Sequence, residues 1–75
     1  MSEALAPAPG LWQVWRHGGR VTDRPRLAYQ SADEALARAR YQRLYAAMRQ
    51  GEVRLVAPDG RIVARAWAPT LRSRW

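Results

Sequence analysis

The sequence predicts an α+β fold: β-β-α-β-β, one antiparallel sheet with a single long helix packed on one face. Three observations predict it. A run rich in Ala, Leu, Arg and Gln extends from Ser31 to Gln50, all good helix formers. Short stretches dense in Trp, Val, Leu and Ile lie on both sides of that run, two before it and two after. Turn residues separate the members of each pair, Gly18-Gly19 in the first and Pro58-Asp59-Gly60 in the second. Strands joined this closely pair antiparallel, and one helix can be laid across the sheet they make.

Residues 1–10 follow neither a helical nor a strand period and contain Pro7 and Pro9. They read as a disordered N-terminal segment, and the missing basic n-region argues against a signal peptide. Leu11–Arg16 reads as the first strand, with Trp12 and Val14 on one face and Leu11, Gln13 and Trp15 on the other. One of the two tryptophans must then point into the core. A second extended stretch follows in two pieces around Pro25, Arg20–Thr22 and Arg26–Tyr29. Proline donates no ladder hydrogen bond, so this is an irregular or edge strand.

Ser31 and Glu34 form a capping box at the helix start, and Asp33 and Glu34 suit the positive end of the dipole. The helix is expected to run about five turns to Gln50, with Gly51 as its left-handed stop. Glu52–Ala57 and Arg61–Trp67 then form a hairpin. Ala57-Pro58-Asp59-Gly60 fits a type I turn with Gly at the positive-φ position. Pairing Ala57 with Arg61 sets Val56 opposite Ile62 and Leu55 opposite Val63. One hairpin face then carries Val56, Ile62, Ala64 and Ala66. The other carries Val53, Leu55, Val63 and Trp67, with Arg61 and Arg65 between. Pro69 ends the strand. The domain spans 11–68, and 69–75 is a basic C-terminal tail.

The chain has 75 residues, 13 Arg, no Lys, six acids and no Cys, for a net charge of +7 and a pI near 11.5. Such a chain hides only about 60% of the surface its unfolded form exposes. It lacks disulfides, so self-association or a partner would help it. No run of about 18 apolar residues exists for a membrane span. Arg in place of Lys fits a GC-rich coding sequence. The excess of base over acid is a separate fact, and it draws anionic partners.

The side chains point away from an enzyme. His17 is the only histidine, beside a turn, with no second ligand for a metal. Asp33 and Glu34 belong to the helix start and Asp59 to the turn, leaving no carboxylate pair for acid–base work. Ser31 is a cap, and Ser2 and Ser73 lie near the termini. No metal, cofactor or small-molecule substrate is expected, no membrane partner, and the location is expected to be cytoplasmic.

Arginine and aromatic residues point to nucleic acid. Arg61, Arg65 and Trp67 alternate along one strand and so share a face, with Arg54 on the paired strand. Arg16 and Arg20 flank the first turn. Arginine forks grip phosphate oxygens and aromatic planes stack unpaired bases. A rival reading comes from the helix, which shows two apolar faces. Ala32, Ala35, Leu36, Ala39, Ala46 and Ala47 form a small-residue stripe suited to close approach of a sheet. Tyr41, Leu44, Tyr45 and Met48, at i, i+3, i+4 and i+7, would then be left for a protein partner or a homodimer. Alternatively the whole apolar arc is buried by sheet edges and termini, with Trp67 or Trp75 as cover.

Trp12-Gln13-Val14, Gly18-Gly19-Arg20, Ser31 before Glu34-Ala35-Leu36 and Ala39, Val53–Val56, and Asp59-Gly60-Arg61-Ile62 carry a likeness. Over roughly residues 11–66 the chain resembles a group of small bacterial proteins classed as a domain of unknown function. It departs from them at Arg24-Pro25, which interrupts the second strand, and in a helix prolonged from Tyr41 to Met48. The resemblance implies the topology and no mechanism. The expected function is a small non-enzymatic binding module for nucleic acid, with a protein–protein interaction module as the alternative.

Overall fold

A computed structural model describes residues 7–19 and 22–68. Among these, strands β1 (Trp12–His17) and β2 (Arg26–Ser31) precede helix α1 (Glu34–Ala47), and strands β3 (Gly51–Val56) and β4 (Ile62–Ala68) follow it. One antiparallel sheet results, in the order β2-β1-β3-β4. β1 is central because α1 carries the chain over the sheet and returns β3 to its free side. β2 is an edge strand, as Pro25 implied, and it starts only after that proline. Arg20 and Val21 lie outside the described residues, and Thr22 is in a turn.

The covered face of the sheet holds the core. Val14, Val53 and Leu55 are fully buried together with Ala37 of the helix. Trp12, Tyr29, Ala64 and Ala66 pack around them, so Trp12 is the inward tryptophan. From the helix, Tyr41, Leu44, Tyr45 and Met48 pack onto the same cluster. The stripe expected to be free for a partner is therefore the one that meets the sheet. Ala32, Ala35, Leu36, Ala39, Ala46 and Ala47 are exposed instead, Leu36 by 53%. Burying Tyr, Leu and Met removes far more apolar area from water than burying Ala. The small residues are on the sheet, where Ala64 and Ala66 make room for the large helix side chains.

Both helix ends differ from expectation. The N-cap is Asp33, whose carboxylate accepts from the Ala35 and Leu36 amides, the former at 2.8 Å. Ser31 is held in the ladder opposite Trp12, and its hydroxyl accepts from the Asp33 amide at 3.0 Å. Glu34 pairs forward with Arg38 at 2.7 Å rather than back to Ser31. The helix stops at Ala47, because Met48 is extended. Gly51 has φ +104 but opens β3 instead of ending the helix. A side chain there would collide with the His17 carbonyl oxygen, so only glycine lets β3 start against the end of β1.

The closing turn forms as expected. Gly60 has φ +94 and donates to the Ala57 carbonyl at 2.9 Å, and the Ala57 amide donates to the Arg61 carbonyl at 2.9 Å. Val56 faces Ile62, but Leu55 faces Ala64 rather than Val63. A bulge at this point adds one residue to β4 and shifts everything after it to the other face.

Candidate nucleic-acid interface

The bulge decides the candidate site. It sets Arg65 opposite Arg54 and Trp67 opposite Glu52. Val53 and Leu55 are in the core, so their neighbours Glu52, Arg54 and Val56 alternate onto the face away from the helix. Across the ladders this open face carries Trp15 beside Arg54 and then Arg65, with His17 beside Glu52 and then Trp67. The expected grouping of Arg65 and Trp67 with Val53 and Leu55 is thus reversed.

Glu52 anchors the face. Its side chain is only 2% exposed although no described helix lies above it. Arg54 Nε donates to Oε1 at 2.9 Å, and Arg65 Nε lies 2.7 Å from Oε2. The second contact is an ion pair outside hydrogen-bond geometry, so Oε2 is matched in charge but accepts no hydrogen bond. One carboxylate between two guanidinium groups leaves a net positive charge. Both contacts use Nε, and the terminal amino groups of the two forks are uncommitted among the described residues. Trp67 is 56% exposed next to this cluster. Trp15 is more enclosed, and its indole N–H donates to Gln13 Oε1 at 2.9 Å.

The other sequence-derived candidates do not join this cluster. Arg61 precedes the bulge, out of phase with Arg65, and its amide donates to Asp59 Oδ1 at 2.9 Å in the turn. Arg16 pairs with Val53 and Arg26, so it belongs to the margin of the covered face. Arg20 and the tail from Pro69 to Trp75 lie outside the described residues. Tyr41, Leu44, Tyr45 and Met48 are packed on the core. Tyr41 ionises above its ordinary value of 10.0, first because burial disfavours the phenolate, then because Tyr45 and Glu52 would add negative charge.

Sequence reasoning overlooked Glu52. The available signal was Glu-x-Arg on one strand of a hairpin whose partner strand carries Arg65. It was unreadable without the bulge, since an unbroken register puts Arg65 beside Val53. His17 is structural: Gly19 N–H donates to Nδ1 at 3.1 Å, which makes Nε2 the protonated nitrogen that donates to the Asp23 carbonyl at 3.0 Å.

No described helix is long and apolar enough to cross a membrane, and no group of described residues could hold a metal ion. Comparison with protein-family models, curated proteins and solved structures finds no match. The likeness described above rests on its motifs alone.

Proposed function

We propose that this chain is a small binding module that engages single-stranded nucleic acid on the open face of its sheet. The observation that carries this reading is Trp67, 56% exposed, standing beside an arginine pair held by a buried glutamate. Trp67 would stack an unpaired base, a contact worth about 1–3 kcal/mol. Arg65 and Arg54 would offer their terminal amino groups to the flanking phosphates. Glu52 would hold both forks in place before the strand arrives, which lowers the entropy lost on binding. The net charge of +7 would steer the encounter. Arg61 would make a peripheral phosphate contact at most.

The test is fluorescence anisotropy of a labelled single strand and a labelled duplex of mixed sequence, over a range of salt. The expected result is tighter binding of the single strand, with affinity falling steeply as salt rises. Trp67→Ala should weaken the single strand more than the duplex. Binding of neither nucleic acid at low salt, or binding indifferent to salt, overturns the proposal. A second reading is pairing of two copies along β4, an edge strand with Ile62 44% and Val63 36% exposed. Sedimentation of the protein alone decides it, a concentration-independent monomer removing it.

A further inference from the structure

A second group of arginines stands apart from the open face. Arg16, Arg24 and Arg26 line one cleft of about 570 Å³, together with Gly18, Thr22 and Asp23. All three arginines are exposed. Arg16 and Arg26 are direct partners in the β1–β2 ladder. Like charges opposite each other in a ladder are destabilising, so this arrangement has a cost that folding alone does not explain. None of the three has a carboxylate partner among the described residues, where the ion pairs involve Arg38, Arg54 and Arg65. Asp23 is the only acid among the described residues of the cleft wall, and its carboxylate is turned against Gly18, in space that any larger residue at 18 would need. Among its described residues the cleft wall thus carries one carboxylate and three guanidinium groups.

Three hydrogen bonds tie described residues around the cleft. His17 bridges Gly19 and Asp23, and Gln50 Nε2 donates to the Gly18 carbonyl at 2.9 Å. Pro25 stiffens the link between Arg24 and Arg26 by locking its own φ. Arginine forks lining one cleft suit a tetrahedral oxyanion, because each fork can donate two parallel N–H bonds to it. The cleft falls within the roughly 300–1,000 Å³ of small-ligand sites, so the anion can be carried on a larger body. We infer that Arg16, Arg24 and Arg26 form a binding site for a phosphate group, borne by a nucleotide or by the end of a nucleic-acid strand. This site stands without the open face, since Arg16 shares its row with Val53 of the covered face.

The experiment follows the arginine Nε–H signals of the ¹⁵N-labelled protein during titration with pyrophosphate at constant ionic strength. Saturable shifts at Arg16, Arg24 and Arg26 and at the Gly18 amide are expected, complete at pyrophosphate concentrations below those that move Arg54 and Arg65. Arg24→Ala with Arg26→Ala should weaken pyrophosphate at least tenfold and leave the circular dichroism unchanged, because both side chains are exposed. Trp67→Ala should leave this binding intact, which separates the site from the open-face reading. Two forms of one short oligonucleotide, 5′-phosphorylated and 5′-hydroxyl, then identify the source. A gain for the phosphorylated form assigns the site to a strand end, and equal affinity with pyrophosphate binding retained assigns it to a small phosphorylated ligand. Shifts that do not saturate, or that spread evenly to Arg43 and Arg49, overturn the inference.

Discussion

The two faces of this sheet bury different things. Under the helix, the fully buried side chains are Val14, Val53 and Leu55, all aliphatic. On the open face the most buried side chain is Glu52, a charge. The covered face excludes water with apolar volume, since Tyr41, Leu44 and Met48 close over small sheet residues. Among the described residues the open face has no such cover, and Glu52 is held between Arg54 and Arg65. Area removed from water stabilises the first arrangement. Pairing sustains the second, whose worth depends on keeping both partners. Burial on a sheet face with no described cover marks an electrostatic assembly, and such an assembly is brittle toward loss of one sign of charge.

The sharpest way to break this comparison is to remove the cations and keep the anion. Arg54→Met with Arg65→Met strands the Glu52 carboxylate, which should cost about 3–5 kcal/mol by urea denaturation. Glu52→Gln should cost less, about 1–2 kcal/mol, because water reaches the two arginines left behind. If Glu52→Gln proves the more damaging change, the electrostatic account of the open face is wrong. Between these lies Leu55→Ala on the covered face, expected to cost about 2–5 kcal/mol through lost burial and the cavity it leaves.

A smaller effect concerns pH. Tyr41 ionises above 10.0 in the folded chain, so the folded state holds its phenolic proton more tightly than the unfolded state does. This contribution is fully present below about pH 10 and is lost as pH rises through the folded value. The unfolding free energy should fall with pH in that window, and Tyr41→Phe should flatten the fall. The smallest effect is expected at Leu36, 53% exposed on the outer side of the helix. Leu36→Gln should change the unfolding free energy from urea denaturation by no more than about 0.5 kcal/mol. A large loss there would mean that the outer stripe is covered by something.

How far these faces were legible in the sequence can be traced residue by residue. The helix was clear from its composition, yet its cap was misassigned, because Ser31 and Asp33 both carry a capping oxygen. Only the ladder partner of Ser31, Trp12, decides that Ser31 belongs to β2. The two helix stripes were visible, but which one met the sheet was not. That depends on the side-chain sizes across the interface, and an unbroken hairpin register puts Ala64 and Ala66 on a different face from Val53 and Leu55. The open-face cluster failed to appear for the same reason. One extra residue at Val63 reverses the face of Arg65 and Trp67, and a bulge leaves no local signature in this stretch. The Arg16–Arg26 pairing needed the offset between Val14 and Trp15 in the β1–β2 ladder.

Local sequence is enough for the element order, the closing turn at Asp59-Gly60, an irregular or edge character for the strand after Pro25, and the positive charge. These follow from local chemistry: helix propensity, positive φ at glycine, a missing amide at proline and the count of arginines. Tertiary structure alone decided the strand order, the helix face that is buried, and the meeting of Glu52 with Arg54 and Arg65. Those depend on register, and register is set by the whole sheet. A shift of one residue exchanges the inside of a strand for its outside, while composition and local propensity remain the same.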